Sequence, residues 1–347
     1  MGGIIKPIIN AIPTSLIERL GSRYVAGYSL QDGVDLICRL HEKYGYYYSL
    51  DILGESAKSV EEARRAVDDY VQLIRLVRPK FDFGNHPHQK PVSLSVKPSA
   101  ICYAEHKPNG LYVSPQTRLL KGLETIADEA GPIDVTLDSE QAYWKSVTLN
   151  AEEIMRKKGY SGFGGVLQGR LYRSHDDLVD LFIKSITLTT GRHPVRQRFC
   201  LGIYTEDETV GEMNNDNAKG MLIARVNQAS KRDLVYIEVA THDHDVIFHL
   251  QRNVLNQMDH SFYEFQFLLG PPNVENDLAP TLKSEGHVVR FYAPIQLRPG
   301  EAAPYMRRRL IESPGMIIQG ALSLGRKSLA NQSRKELRKE RELIDTA

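Results

Sequence analysis

Short runs rich in β-branched and aromatic residues alternate with longer amphipathic segments almost to the end of the chain. The strand candidates are YYYSLDIL, PVSLSVKP, IDVTLD, FGGVLQG, RQRFCLGIY, LVYIEVAT, YEFQFLLG and VVRFYAPI. Between them, SVEEARRAVDDYVQLIRLV, SPQTRLLKGLETIADEA and SHDDLVDLFIKSI carry helical spacing. Several helix candidates open on Ser with an acid three residues later, or on Ser-Pro, as helix starts do. Eight strands separated by helices predict the α/β class and a closed (β/α)8 TIM-like barrel. An open, doubly wound sheet is the competing arrangement. Its nucleotide-loop candidate, GYSGFGG, precedes its strand and lacks GxGxxG spacing, so it fails on context.

The segment PYMRRRLIES, Pro304 to Ser313, has the right period but the wrong residues for a core-facing helix. Pro304 suits the first helical position, where its missing N–H is not needed. On a helix beginning there, Tyr305, Arg308, Arg309 and Glu312 share one face. That face usually carries apolar side chains; here it carries a phenol, two guanidinium groups and a carboxylate. A solvated face with Glu312 pairing to the arginines is the plain reading. A helix aimed at a small carboxylate is the other.

Barrel chemistry gathers where strands finish. The strand ends supply Asp51, Lys97, Asp138, Gln168, Thr241 with His242, Gln266 and Tyr292. The fifth strand is read with Arg198 at its start and Tyr204 at its end. One polar strand end means only a turn, but the same feature on nearly every strand predicts a site in the mouth. The run ATHDHD invites a metal reading. Its His and Asp side chains are consecutive and diverge, so no metal is expected and Asp243 reads as a helix cap.

Composition narrows the class only modestly. The chain has 347 residues, 41% hydrophobic and 25% charged, with a net charge of +1, which argues against nucleic acid as the main partner. Cys38, Cys102 and Cys200 lie far apart with no CxxC, which fits a reducing compartment. Lys6, Pro7, Asn10 and Pro13 interrupt the apolar amino terminus, so neither a signal-peptide core nor a membrane span is expected there. The expectation is a soluble, cytoplasmic protein. The final stretch, RKSLANQSRKELRKERELIDTA, reads as a frayed or exposed helix, or as a basic foot giving peripheral contact with the inner face of a membrane.

With these residues assembled, the chain resembles the flavin-dependent proline dehydrogenases from about Tyr24 to Ser313. The likeness runs through DILGES, SVKPSA, LDSE, VLQG, ATHD, EFQFLLG and VRFYAP, and closes on YMRRRLIE. It implies a distorted barrel over 24–320, with an extension over 1–23, a charged tail over 321–347, and the last helix packed over the strand ends. It also implies FAD lying across the mouth. Lys97, Arg308 and Arg309 match the residues that hold the substrate carboxylate. Tyr204, Tyr292, Tyr305 and Leu268 match those that wall its ring. Asp138 and Arg198 match the catalytic polar pair. Thr136, Gln168, Leu201, Gly202, Ile203, Thr241, His242, Gln266 and Glu312 match cofactor contacts. The implied reaction is hydride transfer from proline, or a close analogue, to flavin N5. The product is pyrroline-5-carboxylate, and a quinone takes the electrons onward. The competing functions are a metal-dependent barrel hydrolase and a non-catalytic binder of a small carboxylate. Oligomeric state is left open.

The fifth strand departs from the family pattern Arg-Leu-Val-Lys-Gly-Ala-Tyr, reading RFCLGIY here. Leu201 replaces a lysine expected near the flavin, and Ile203 and Phe199 are read as added bulk that reshapes the pocket. After the fourth strand, Gly169 and Arg170 stand where Ala-Tyr is common.

Overall fold

The computed structural model describes residue 7 and residues 9–54, 56–103, 116–141, 144–188, 194–203, 207–312 and 328–345. In chain order the elements begin α1 (Thr14–Gly21), α2 (Leu30–Tyr44), β1 (Tyr47–Ile52), α3 (Val60–Val77), β2 (Val92–Val96) and α4 (Pro98–Ile101). They continue through α5 (Gln116–Ala130), β3 (Asp134–Leu137), α6 (Lys145–Lys157), β4 (Phe163–Gln168), α7 (Ser174–Leu188) and β5 (Val195–Cys200). The remainder is α8 (Asn215–Ser230), β6 (Val235–Ala240), α9 (His244–Asn253), β7 (Tyr263–Leu268), α10 (Ala279–Ser284), β8 (Val289–Ile295), α11 (Ala302–Glu312) and α12 (Leu329–Asp345). The strands close in the order β1 to β8, each parallel to its neighbours, and β8 returns to β1 with Ser49 opposite Tyr292. The expected (β/α)8 barrel is the fold observed.

Strand alternation separates two kinds of interior. Outward positions such as Leu50, Leu94, Leu137, Phe199, Ile237, Phe265 and Phe291 are fully or almost fully buried against the helices. Each such side chain contributes on the order of 1.5–3 kcal/mol. Many inward positions are polar. Arg196 of β5 pairs with Asp134 of β3 and Glu238 of β6, while Arg290 of β8 donates to Glu264 of β7 at 2.6 and 2.9 Å. Tyr236 adds a hydroxyl to Glu264 at 3.0 Å. These charges plug the floor of the barrel, where branched apolar layers are usual. Pairing offsets their desolvation, so losing any one partner strands another charge in the interior.

The helix starts follow the capping chemistry read from the sequence. Ser59 accepts the Glu62 N–H at 3.1 Å at the head of α3, and Asp243 accepts that of Val246 at 3.1 Å at the head of α9. Helix α11 begins at Ala302, two residues before Pro304, so the proline sits inside its first turn rather than opening it. Its missing N–H is still harmless there, because first-turn N–H groups have no intrahelical acceptor.

Both flanking segments pack on the barrel. Ile17 of α1 lies in a second apolar cluster with Tyr24, Val25, Ala302, Ala303, Met306 and Leu310. Glu18 accepts from Gln296 at 2.6 Å and from the Gly300 N–H at 2.7 Å. The tail helix α12 lies on α2, where Arg39 pairs with Glu336 at 3.1 Å and also with Glu340. Ser328 and Ser333 are buried there. The segment read as frayed or exposed is therefore docked along one face by ion pairs and small side chains.

A cationic cavity at the barrel mouth

Above the charged floor, a second set of inward residues builds upward to an open cavity of about 450 Å³. Asp51, near the end of β1, is fully buried, and Lys97, just past β2, is 5% exposed. The lysine Nζ sits 2.6 and 2.5 Å from the two Asp51 oxygens. Tyr70 of α3 adds its hydroxyl to Asp51 at 3.3 Å. Burial pushes the Asp51 carboxyl up to about 6, against the lowering pull of Lys97 and with a further push from Asp138.

Asp138, immediately after β3, accepts from Ser95 at 2.6 Å, from Arg198 at 2.7 Å and from the Tyr292 hydroxyl at 3.0 Å. Arg198 donates onward to Gln266 at 2.7 Å. The polar pair expected from the sequence is thus formed, and it is locked from three sides. Arg198 is the fourth residue of β5 rather than its start, because the strand begins at Val195. Desolvation, together with Asp138 and Asp51, raises the Tyr292 phenol well above its ordinary range, so it remains a proton donor.

Helix α11 brings Tyr305, Arg308 and Arg309 into the same cavity lining as Lys97 and Tyr292. The Arg309 guanidinium lies 5.2 Å from the Tyr305 ring centroid, a cation–π distance that holds the fork against the phenol. Leu268, Gln266, Thr241 and His242 line the side formed by β6 and β7. His242 Nε2 accepts the Leu268 N–H at 2.8 Å, which fixes its remaining proton on Nδ1. Desolvation, then the positive fields of Arg309 and His244, lower its pKa to about 3. Asp243 is occupied as the α9 cap and as a partner of Lys219 at 2.8 Å.

Gln168, Leu201, Gly202 and Ile203 line the neighbouring β4–β5 side. The Gln168 amide donates to Ser139 Oγ at 3.1 Å and to the Glu140 carbonyl at 3.2 Å, while its buried Oε1 has no hydrogen-bond partner among the described residues. Gly202 has φ 98°, and a Cβ there would come within 3.0 Å of that oxygen, so glycine is required by both backbone and space.

Most of the expected site residues therefore converge. Thr136 does not line the cavity; it sits in β3 one inward step below Asp138, fully buried. Tyr204 lies outside the described residues, and β5 ends before it, at Cys200. Glu312 ends α11, and its side chain also lies outside the described residues. Phe199 points away from the mouth into the helix-facing core, so it does not reshape the cavity, whereas Ile203 lines it. Asp51 was visible as a polar strand end, but its place beneath Lys97 was not. Nothing in the sequence ties two residues so far apart.

Fold and mouth together define a (β/α)8-barrel protein whose cationic, phenol-lined cavity occupies the face where this architecture carries out chemistry. The chain belongs to the proline dehydrogenase family, whose family model, Proline dehydrogenase, matches residues 37–316. It is 28% identical over 324 residues to the proline dehydrogenase of Deinococcus radiodurans, covering 91% of this chain and 94% of that one. It is 27% identical over 314 residues to proline dehydrogenase 1 of Bacillus subtilis, covering 88% and 91%. Among solved structures, proline utilization A from Bdellovibrio bacteriovorus, inactivated by N-propargylglycine, superposes with a TM-score of 0.73 at 21% identity. That match covers 90% of this chain but only 34% of the other, so the chain spans about a third of its length.

Proposed function

We propose that this protein oxidises proline, or a close ring analogue, to pyrroline-5-carboxylate, with FAD bound in the mouth and a quinone as electron acceptor. The observation that carries this reading is the convergence of Lys97, Arg308 and Arg309 on one cavity beside Tyr292 and Tyr305. Guanidinium forks match a carboxylate, and each charge-assisted hydrogen bond contributes about 1.5–3 kcal/mol. The family's relatives named as proline dehydrogenases support the substrate.

The β4–β5 side of the cavity fits a flavin. Gln168 Oε1 is a buried acceptor with no hydrogen-bond partner among the described residues, and the backbone of Gly202 lines the cavity beside it. Gln168, Leu201, Gly202, Ile203, Thr241, His242 and Gln266 would hold the cofactor, with Glu312 as a further contact. Thr136, beneath Asp138, would act on it only through the strand. FAD bound there supplies the acceptor for the hydride that leaves the ring carbon next to the proline nitrogen.

The chain's own residues do the rest. The lysine and two arginines fix the carboxylate, and with it the angle of the ring. Tyr292, Tyr305 and Leu268, with Tyr204, wall the ring and exclude water. Asp138 and Arg198, held by Ser95, Tyr292 and Gln266, set the polarity beside the nitrogen. That nitrogen must shed a proton before its lone pair can drive the hydride out. The catalytic unit runs over 24–320, with 1–23 and 321–347 as additions to it. The setting is cytoplasmic, with peripheral membrane contact through the basic tail where the quinone is met. Among the described residues no helix is long and apolar enough to cross a membrane.

An anaerobic absorbance spectrum before and after proline tests this. Flavin bands that bleach on addition are expected. Bands that proline leaves untouched would overturn the substrate, and a protein that stays colourless after reconstitution with FAD would overturn the cofactor.

A further inference from the structure

The geometry points to Arg170 as the positioning residue of the cofactor-side wall, the clasp that sets how tightly FAD is held. The inference rests on the reading of that wall as the FAD site. Leu201, Gly202 and Ile203 leave β5 along one side of the cavity, and the connection to α8 returns to it at Asn215. Among the described residues, Leu201–Ile203 and Glu212–Asn215 share no hydrogen bond that would fix their separation. The β4–α7 turn spans them, through the Arg170 backbone and through its guanidinium. Arg170 Nε donates to the Gly202 carbonyl at 2.9 Å, Nη1 to the Glu212 carbonyl at 2.9 Å, and Nη2 to Asn215 Oδ1 at 3.0 Å.

The backbone around Arg170 is built to keep it there. Its own N–H donates to the Leu201 carbonyl at 3.1 Å, and its carbonyl accepts the Glu212 N–H at 2.8 Å. The preceding Gly169 lies against Leu222, where a Cβ would approach within 2.8 Å. The arginine stem passes over Gly202, with Cγ 3.1 Å from where a Cβ would stand. Arg170 thus occupies the space that the glycine leaves on one side, while Gln168 Oε1 occupies it on the other. Arg170 does not itself line the cavity, so it acts through Gly202 and Asn215.

Three acceptors facing one head from different directions suit a planar five-donor fork and not an ammonium. The arginine therefore discriminates against its own conservative replacement. Tying both ends of the connection also removes wall conformations that FAD would otherwise have to select against, which is a gain by preorganisation.

The test is titration of the apoprotein with FAD, read by flavin fluorescence and by the visible circular dichroism of the bound cofactor. Arg170→Ala is expected to weaken FAD binding about tenfold or more, the factor that about 1.4 kcal/mol represents. Arg170→Lys is expected to fail as a rescue. Asn215→Ala should cost less, and should cost less still in the Arg170→Ala background than alone, because its tie to Arg170 is already gone. Arg170→Ala binding FAD like the natural chain, or full additivity with Asn215→Ala, overturns the clasp. Should Arg170→Ala not fold, Arg170→Lys and Asn215→Ala carry the comparison. A natural chain that takes up no FAD defeats the cofactor reading separately. Amide exchange at Leu201–Ile203 in the same apoproteins then decides the brace: faster exchange on losing Arg170 supports it, and unchanged exchange overturns it.

Discussion

Arg198 Nη1 lies 2.7 Å from Asp138 Oδ1, joining β5 to the end of β3 across the intervening strand. The arginine side chain is 7% exposed and the aspartate 15%, so neither charge is fully hydrated. Removing one partner from such a pair costs about 3–5 kcal/mol, whereas replacing both with apolar groups of similar size is often near neutral. Asp138→Leu and Arg198→Met should each destabilise the fold by an amount near the low end of that range. The double variant should be more stable than either single one, yet all three should be inactive. Urea midpoints check this. Simple additivity of the two losses would mean that the pair is not coupled.

The proposed carboxylate clamp predicts a kinetic split at Arg308 and Arg309. Arg308→Met or Arg309→Met should raise the Michaelis constant for proline about ten- to a hundredfold, the equivalent of one charge-assisted bond. Retained FAD should be unchanged, because the two residues come from α11 and not from the wall of Gln168 and Gly202. Unaltered proline turnover in both variants would remove the carboxylate clamp.

How much of this was legible depends on what kind of force holds each part. The eight strands could be read because most of their outward residues are β-branched, aromatic or leucine. Most of the mouth followed from counting strand ends. Arg198 was misplaced at a strand start because β5 begins with Val195, Arg196 and Gln197, and Arg196 belongs to the charged floor. The tail misled for a similar reason. Arg39 with Glu336, buried Ser333 and a single leucine, Leu329, against the core dock α12 with few apolar residues. Pairings between distant segments, such as Lys97 with Asp51, leave no mark on local pattern.

Helix α1 backs α11, and Gly21 lies directly against Met306. A Cβ there would stand 2.4 Å from Met306 Cγ. Gly21→Val should therefore push α11 away from the mouth, raising the Michaelis constant as well as lowering the melting temperature. Ile17→Ala, at a fully buried position of the same cluster, should cost about 2–5 kcal/mol. A Gly21→Val chain that is less stable but kinetically normal would show that α1 supports the fold without setting the clamp.

His242 supplies a pH dependence whose sign is fixed. Unfolded, it titrates near 6.5; folded, its pKa is lowered to about 3 by desolvation and by Arg309 and His244. Between those values the unfolded chain binds the extra proton, so this residue makes stability rise with pH, and its contribution is lost as pH falls below about 6.5. His242→Gln keeps an acceptor for the Leu268 N–H and removes the titration. The stability advantage of the natural chain over this variant should shrink from neutral pH towards about pH 4.5. A difference that is the same at both would contradict the assignment.

Leu201, where the family resemblance leads one to expect a lysine, lines the cavity beside Gly202 and Ile203. A cation restored there would face the cofactor from a partly desolvated wall, where charge interactions are stronger than in water. It would favour the more electron-rich, reduced form. Leu201→Lys should therefore raise the flavin potential by on the order of 20–50 mV, corresponding to about 1–2 kcal/mol for a two-electron couple. FAD affinity should rise in parallel through the cofactor's diphosphate. Potentiometric titration with a reference dye measures the first, and apoprotein titration the second. If only affinity changed, the lysine would be reaching the diphosphate and not the ring. If neither moved, the β5 wall would not face the cofactor, and the assignment of Leu201, Gly202 and Ile203 would have to be given up.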